Sequence, residues 1–174
     1  MYNTKHLNKT HLCTIRSGTG NLIMTDLKTY KIVLAEDDDD DSLMFQEAIQ
    51  RLESVHTLKM IRDGEKLMTY LTRLAQEELP DFIFMDLHMP GKNGIQCVRQ
   101  IRANKLFNEI PIIMFSDSGR PPDMEASSDY GANMFMAKTA NIADLTGILK
   151  HLISPDGLAL LQKRKSSPLS EWIS

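Results

Sequence analysis

Four apolar runs, with one weaker strand-like stretch among them, punctuate this chain without the alternation that a half-solvated strand would show. They are Lys31-Ile-Val-Leu-Ala35, a weaker stretch over 56–61, Phe82-Ile-Phe-Met85, Ile110-Pro-Ile-Ile-Met-Phe115 and Met134-Phe-Met-Ala137. Unbroken apolar runs of this length suit strands covered on both faces, as in parallel sheets. Between them, apolar residues recur at helical spacing over 42–53 (Phe45, Ala48, Ile49, Leu52), 64–77 (Leu67, Tyr70, Leu71, Leu74), 94–104 (Ile95, Val98, Ile101, Arg102), 121–130 and 142–153 (Leu145, Ile148, Leu149, Leu152). Strands at 31–36, 56–61, 81–86, 110–116 and 134–138 thus alternate strictly with five helices. That alternation predicts a doubly wound α/β domain: a five-stranded parallel sheet with helices on both faces.

Polar punctuation sets the boundaries. Asp41-Ser42 offers an N-cap for the first helix, Pro90-Gly-Lys-Asn-Gly94 is dense in turn formers before the third, and Gly131-Ala-Asn133 closes the fourth. Residues 1–29 are polar and aperiodic and read as a flexible leader, residues 30–153 as the folded domain, and residues 154–174, after the stop at Ser154-Pro155, as a short tail. The tail's Lys163-Arg164-Lys165 triplet reads as a solvated end, with partner docking as the sharper alternative.

At 174 residues the chain has room for one domain with tails. A formal net charge of -3 and a pI near 5.9 give no general attraction to nucleic acid or to an anionic membrane. No apolar run approaches the roughly 18 to 20 residues of a membrane span, and the start lacks a signal-peptide core, so a cytoplasmic protein is expected. Cys13 and Cys97 are far apart and form no metal or redox motif.

The chemistry stands where the runs stop. The first run ends at Glu36-Asp37-Asp38, the second of the long runs at Asp86, the third at Ser116 and the last at Lys138. In an open parallel sheet these carboxyl ends share one crevice, which would bring together residues spread over about a hundred positions. Neighbouring carboxylates are costly without a cation, and hard oxygen ligands select magnesium or calcium. With Asp37 and Glu36 beside it, such a cation would make phosphoryl transfer onto Asp86 electrostatically tolerable, while Lys138 supplies a point charge and Ser116 a hydroxyl to the phosphoryl oxygens. Nothing in the set resembles a general base.

These residues resemble the receiver domain of two-component response regulators over about residues 30–153. The segments that carry the resemblance are Lys31-Ile-Val-Leu-Ala-Glu-Asp-Asp38, Asp81-Phe-Ile-Phe-Met-Asp-Leu-His-Met-Pro-Gly-Lys-Asn-Gly94, Pro111-Ile-Ile-Met-Phe-Ser116 and Phe135-Met-Ala-Lys138. Ser116 follows Asp86 by 30 positions (116 - 86) and Lys138 follows it by 52 (138 - 86), the separations of that family. The resemblance implies a flavodoxin-like sheet of strand order 2-1-3-4-5. It implies Asp86 as phosphoacceptor, and a Mg2+ site made of Asp37, Glu36 through water, Asp86 and the backbone carbonyl of His88. Lys138 and Ser116 then bind the phosphoryl group, and Ser116 with Phe135 forms a switch.

The implied partners are a histidine kinase or phosphotransfer protein and a downstream protein target, with no nucleic acid and no membrane. The contact face would be the fourth helix, fifth strand and fifth helix, which could also form a homodimer. Weak self-phosphorylation and self-dephosphorylation are implied rather than turnover of a substrate. The missing output domain and the Lys-Thr-Ala-Asn segment suggest the small stand-alone receivers of the chemotaxis-like and phytochrome-associated type. Two departures stand out: Thr139 replaces the usual proline after Lys138, and Asp117 stands where a small neutral residue is usual. His88, Asp117 and Ser118 are accordingly expected to tune access to Asp86.

Rival chemistries fail at identifiable positions. A calcium loop from Glu36 meets Asp41 where its sharp turn needs glycine, and the Gly-rich Ser17–Asn21 segment precedes the first strand of the domain instead of following it. A haloacid dehalogenase site would need an acid where His88 stands. The remaining alternative is a degenerate receiver that binds partners without phosphorylation, against which the complete Asp37, Asp86 and Lys138 set counts.

Overall fold

The computed structural model describes residues 10–16, 22–53, 56–117 and 120–164. Two strands, Thr10–Arg16 (β1) and Leu22–Lys28 (β2), pair antiparallel in a sheet of their own. The main sheet holds Lys31–Ala35 (β3), Thr57–Ile61 (β4), Phe82–Met85 (β5), Ile112–Ser116 (β6) and Met134–Ala137 (β7), all parallel, in the order β4-β3-β5-β6-β7. Counted within the domain that order is 2-1-3-4-5, as expected. The connecting helices are Asp39–Gln50 (α1), Gly64–Arg73 (α2), Gly94–Ala103 (α3), Pro121–Asp129 (α4) and Ile142–Leu152 (α5), followed by Pro155–Arg164 (α6).

Successive strand residues face opposite sides, and that alternation splits the core in two. Val33, Ile83, Met85, Ile112 and Met114 pack with Leu67 and Leu71 of α2 and Val98 and Ile101 of α3. Ile32, Leu34, Phe82, Phe84, Ile113 and Phe115 pack with Phe45 and Ile49 of α1, Leu145 and Leu149 of α5 and Leu161 of α6. Phe45 meets Phe84 edge-on with ring centroids 4.9 Å apart. Each such fully buried side chain stabilises the fold by about 1.5–3 kcal/mol. Burial on both faces explains why the strand runs are apolar without a break.

The boundaries needed correction at both ends and at one cap. Residues 1–29 are not aperiodic throughout, since β1 and β2 lie within them. The signal was a dense turn segment, Ser17-Gly-Thr-Gly-Asn21, between two short β-branched stretches. The segment after 153 is more than a tail, because α6 buries Leu161 completely in the second core. Ser154-Pro155 is the start of that helix as well as the end of the last: Ser154 Oγ accepts from Gly157 N at 3.0 Å, with proline in the first turn. The α1 cap is Asp38, whose side chain accepts from Asp40 N and Asp41 N, so the helix begins three residues before Ser42. Of the tail triplet, Lys163 is exposed, Lys165 lies outside the described residues, and nothing is described of the Arg164 side chain.

A polar staple fixes the far edge of the sheet. Asn133 Oδ1 accepts from Ile112 N at 2.8 Å and from the Arg102 guanidinium at 2.7 Å, and Asn133 Nδ2 donates to Leu161 O at 2.8 Å. Arg102 also donates to the carbonyls of Gly131, Asn108 and Ile110. Burial of its guanidinium pushes its pKa down to about 10. Arg102, placed by spacing in an apolar stripe, and Asn133, placed in a helix stop, tie α3, β6, β7 and α6 together.

Candidate functional site

Four of the five strands of the main sheet each deliver one polar side chain to its carboxyl edge. Glu36 follows β3, and its N–H donates to Ile61 O of β4 at 2.9 Å; Asp86 follows β5, and its N–H donates to Ala35 O at 2.8 Å. Ser116 ends β6, and Lys138 follows β7 with its N–H on Ser116 O at 3.1 Å. The ladder therefore holds the backbone of all four in register. Beneath Asp86 the β5–α3 loop folds back so tightly that a Cβ on Gly94 would stand 2.4 Å from Asp86 O. Only glycine fits there.

Oxygen atoms of Glu36, Asp37 and Asp86 lie within 4.8 Å of one another. Glu36 and Asp86 are buried and Asp37 is exposed, so the cluster opens toward solvent on one side. His88 N donates to Asp86 Oδ2 at 2.8 Å, while Oδ1 lies 3.6 Å from Lys138 Nζ. Lys138 is nearly buried, 7% exposed, and its ammonium also stands 2.8 Å from Glu36 Oε2, 2.7 Å from Asp41 Oδ2 and 5.8 Å from the centre of the Phe115 ring. The Lys138–Thr139 peptide bond is trans.

Asp41 was expected to cap a helix. Instead it reaches into the site, because Asp41, Phe45 and Ala48 fall at i, i+4 and i+7 and share the face that packs on the sheet. That spacing was the signal that could have found it. Asp38 to Asp40 match expectation as loop and first turn, and the N–H groups of Asp41 and Asp40 hold the Asp38 carboxyl below its ordinary range.

Charge dominates this crevice. Three carboxylates, Glu36, Asp41 and Asp86, surround one ammonium, and a fourth, Asp37, stands beside Glu36 and Asp86. Burial pushes the Glu36 carboxyl from 4.5 up to about 7, against the pull of Lys138. Burial alone would lower the Lys138 pKa, but the hydrogen bond to Asp41 and the Glu36 and Asp86 carboxylates close by outweigh it and raise it. Glu36 Oε2 is buried and touches Lys138 off the hydrogen-bonding direction, so it keeps an unused lone pair. A surplus of hard oxygen donors with an unsatisfied buried oxygen fits a divalent cation of the magnesium or manganese kind.

Ser116 is buried beside this cluster, and Phe135 lies one strand away, half-buried against the first core. Asp117 and the His88 side chain are exposed at the rim. Ser118 lies outside the described residues.

Comparison with known proteins accords with this geometry. A family model described as "Response regulator receiver domain" matches residues 32–150. The response regulator Rcp1 of Synechocystis sp. is 31% identical over 117 residues, covering 66% of this chain and 80% of that protein. The crystal structure of a phosphorylated cyanobacterial phytochrome response regulator, RcpA, superimposes with a TM-score of 0.65 at 31% identity, over 71% of this chain and 91% of that one. The Mn2+-bound form of response regulator Rcp1 gives a TM-score of 0.63 at 28% identity over the same shares, 71% and 91%. With the parallel sheet in 2-1-3-4-5 order and the acidic edge opposite a buried lysine, this chain belongs to the response regulator receiver domain family.

Proposed function

We propose that this receiver accepts a phosphoryl group on Asp86 from a histidine kinase or phosphotransfer protein, with a bound divalent cation, and passes the signal on by contact with a downstream protein. The observation that carries this is the pairing of Asp86 Oδ1 with Lys138 Nζ at 3.6 Å inside a carboxylate cluster whose donor atoms lie within 4.8 Å. Glu36, Asp37, Asp86 and the His88 carbonyl would hold the cation, Mg2+ being the expected ion. When bound, it supplies positive charge against both carboxylate and phosphate.

The chain's own groups do the rest. His88 N–H fixes Asp86 Oδ2, which leaves Oδ1 on the lysine side. Lys138 neutralises the arriving phosphoryl oxygens, and Ser116 offers a hydroxyl donor. Drawing Ser116 toward the phosphate would let the Phe135 ring turn inward, biasing the surface of α4, β7 and α5 between two states. That surface would meet the target or a second copy. Self-phosphorylation and self-dephosphorylation would be weak. Among the described residues no helix is long and apolar enough to cross a membrane, in keeping with a cytoplasmic relay.

Acetyl phosphate with Mg2+ should add one phosphoryl group to wild type and none to Asp86→Asn, read by intact mass. Wild type that never gains mass, while still binding its kinase, would favour the degenerate, phosphorylation-independent receiver.

A further inference from the structure

A shallow groove of about 480 Å³ lies between β4 and α2, lined among others by Lys59, Met60, Arg62, Lys66, Tyr70 and Arg73. Four of these are cations, in a chain of net charge -3. Among the described residues Arg62 pairs with Asp39, while no carboxylate comes within ion-pair distance of Lys59, Lys66 or Arg73. Lys66, Tyr70 and Arg73 fall at i, i+4 and i+7 on α2, a row about 10 Å long. Lys59 Nζ stands 5.8 Å from the Tyr70 ring centre and extends the row onto the strand.

The strand itself is the edge of the sheet. Thr57 N donates inward to Tyr30 O at 3.0 Å and Ile61 O accepts inward from Glu36 N at 2.9 Å. By alternation the N–H and C=O groups of Leu58 and Met60 point outward, away from β3. Met60 is 41% exposed. An open strand edge invites another strand, and lysine on it selects which strand is admitted.

We infer that the β4–α2 groove takes an acidic, extended segment of a partner protein as an added strand beside β4. Leu58 and Met60 supply main-chain hydrogen bonds, and Lys59, Lys66 and Arg73 receive the carboxylates. An extended chain suits this groove better than a compact anion does, because all three cations are exposed and strung along its length. A small anion would meet them one at a time, screened by solvent. The inference needs neither phosphate nor metal at Asp86.

The probe is a capped peptide of alternating glutamate and valine, added to the full chain and followed by amide NMR and hydrogen exchange. Binding should be saturable and should protect the amides of Leu58 and Met60. Lys66→Glu with Arg73→Glu should weaken it by about tenfold or more, as charge pairing at a rim allows. The milder Lys66→Gln with Arg73→Gln pair, checked for unchanged melting, should also weaken it. Met60→Pro removes one outward donor while sparing the inward ladder, and should abolish protection at Leu58. No protection in wild type, undiminished binding by the folded Gln pair, or equal binding of a lysine–valine peptide would each overturn the inference. So would a single-stranded oligonucleotide that occupies the groove while the acidic peptide does not.

Discussion

Lys138 Nζ lies 2.7 Å from Asp41 Oδ2 but 3.6 Å from Asp86 Oδ1, so the lysine after β7 is held more closely by the first turn of α1 than by the aspartate it would serve. A phosphoryl group arriving on Asp86 must therefore compete with Asp41 for the same ammonium. The competitor also adds negative charge to a crevice that a phosphate has to enter.

Asp41→Asn removes both obstacles while keeping the side chain's size. Phosphorylation by acetyl phosphate should accelerate severalfold, as expected for roughly 1 kcal/mol off the barrier. The same variant should lose about 1 kcal/mol of stability, because one charge-assisted bond to a nearly buried lysine is gone. Quantitative mass spectrometry over time reads the first effect and urea unfolding the second. A slower rate would mean that Asp41 presents Lys138 instead of withholding it.

Asp117 is exposed immediately after Ser116, at the mouth of the crevice. Its charge should slow the approach of an anionic donor, so Asp117→Ala should take up phosphate faster, with the difference shrinking at high salt. An unchanged rate at low salt would remove Asp117 from any role in access.

The Glu36 carboxyl, lifted by burial from 4.5 to about 7, makes cation binding and stability depend on pH. In the metal-free protein the folded state holds this proton more tightly than the unfolded chain does. Its contribution to stability is full below about 4.5 and is lost as pH rises through about 7. A bound cation needs the ionised form, so Mg2+ affinity should rise with pH up to about 7 and then level off. Calorimetric titration on either side of that pH should show proton release on binding only on the acid side. In Glu36→Gln the proton release should disappear.

Asn133→Ala would strand Ile112 N–H, Leu161 C=O and one arm of the Arg102 guanidinium. Leaving such buried groups unpaired costs about 2–4 kcal/mol. The unfolding free energy from urea titration should fall by that amount, seen as a lower midpoint with the slope unchanged. Because Asn133 is remote from the crevice chemistry, phosphorylation of the folded variant should match wild type.

How far the sequence could be read differs by element. Four strands of the main sheet were legible because burial leaves runs such as Phe82–Met85 wholly apolar, while the exposed edge strand β4 gave only a weaker signal. Glu36, Asp37, Asp86, Ser116 and Lys138 were legible because each ends a run, and in a parallel sheet run ends share an edge. Asp41 was not read, since an acidic residue near a helix start serves equally as a cap, and its spacing with Phe45 and Ala48 was the overlooked signal. The α6 helix was missed because Ser154-Pro155 both stops one helix and starts another. The staple role of Arg102 and Asn133 was not legible for a related reason: their partners are carbonyls and amides of other elements, which spacing along the chain does not reveal.

Trapping the phosphoryl group where it forms tests Asp86 most directly. Borohydride reduces an acyl phosphate to the alcohol, so protein treated with acetyl phosphate and Mg2+, then reduced and digested, should carry homoserine at position 86 and nowhere else. Homoserine at Asp37 or Asp41, or none in protein shown to be folded and metal-bound, would contradict Asp86 as the phosphoacceptor.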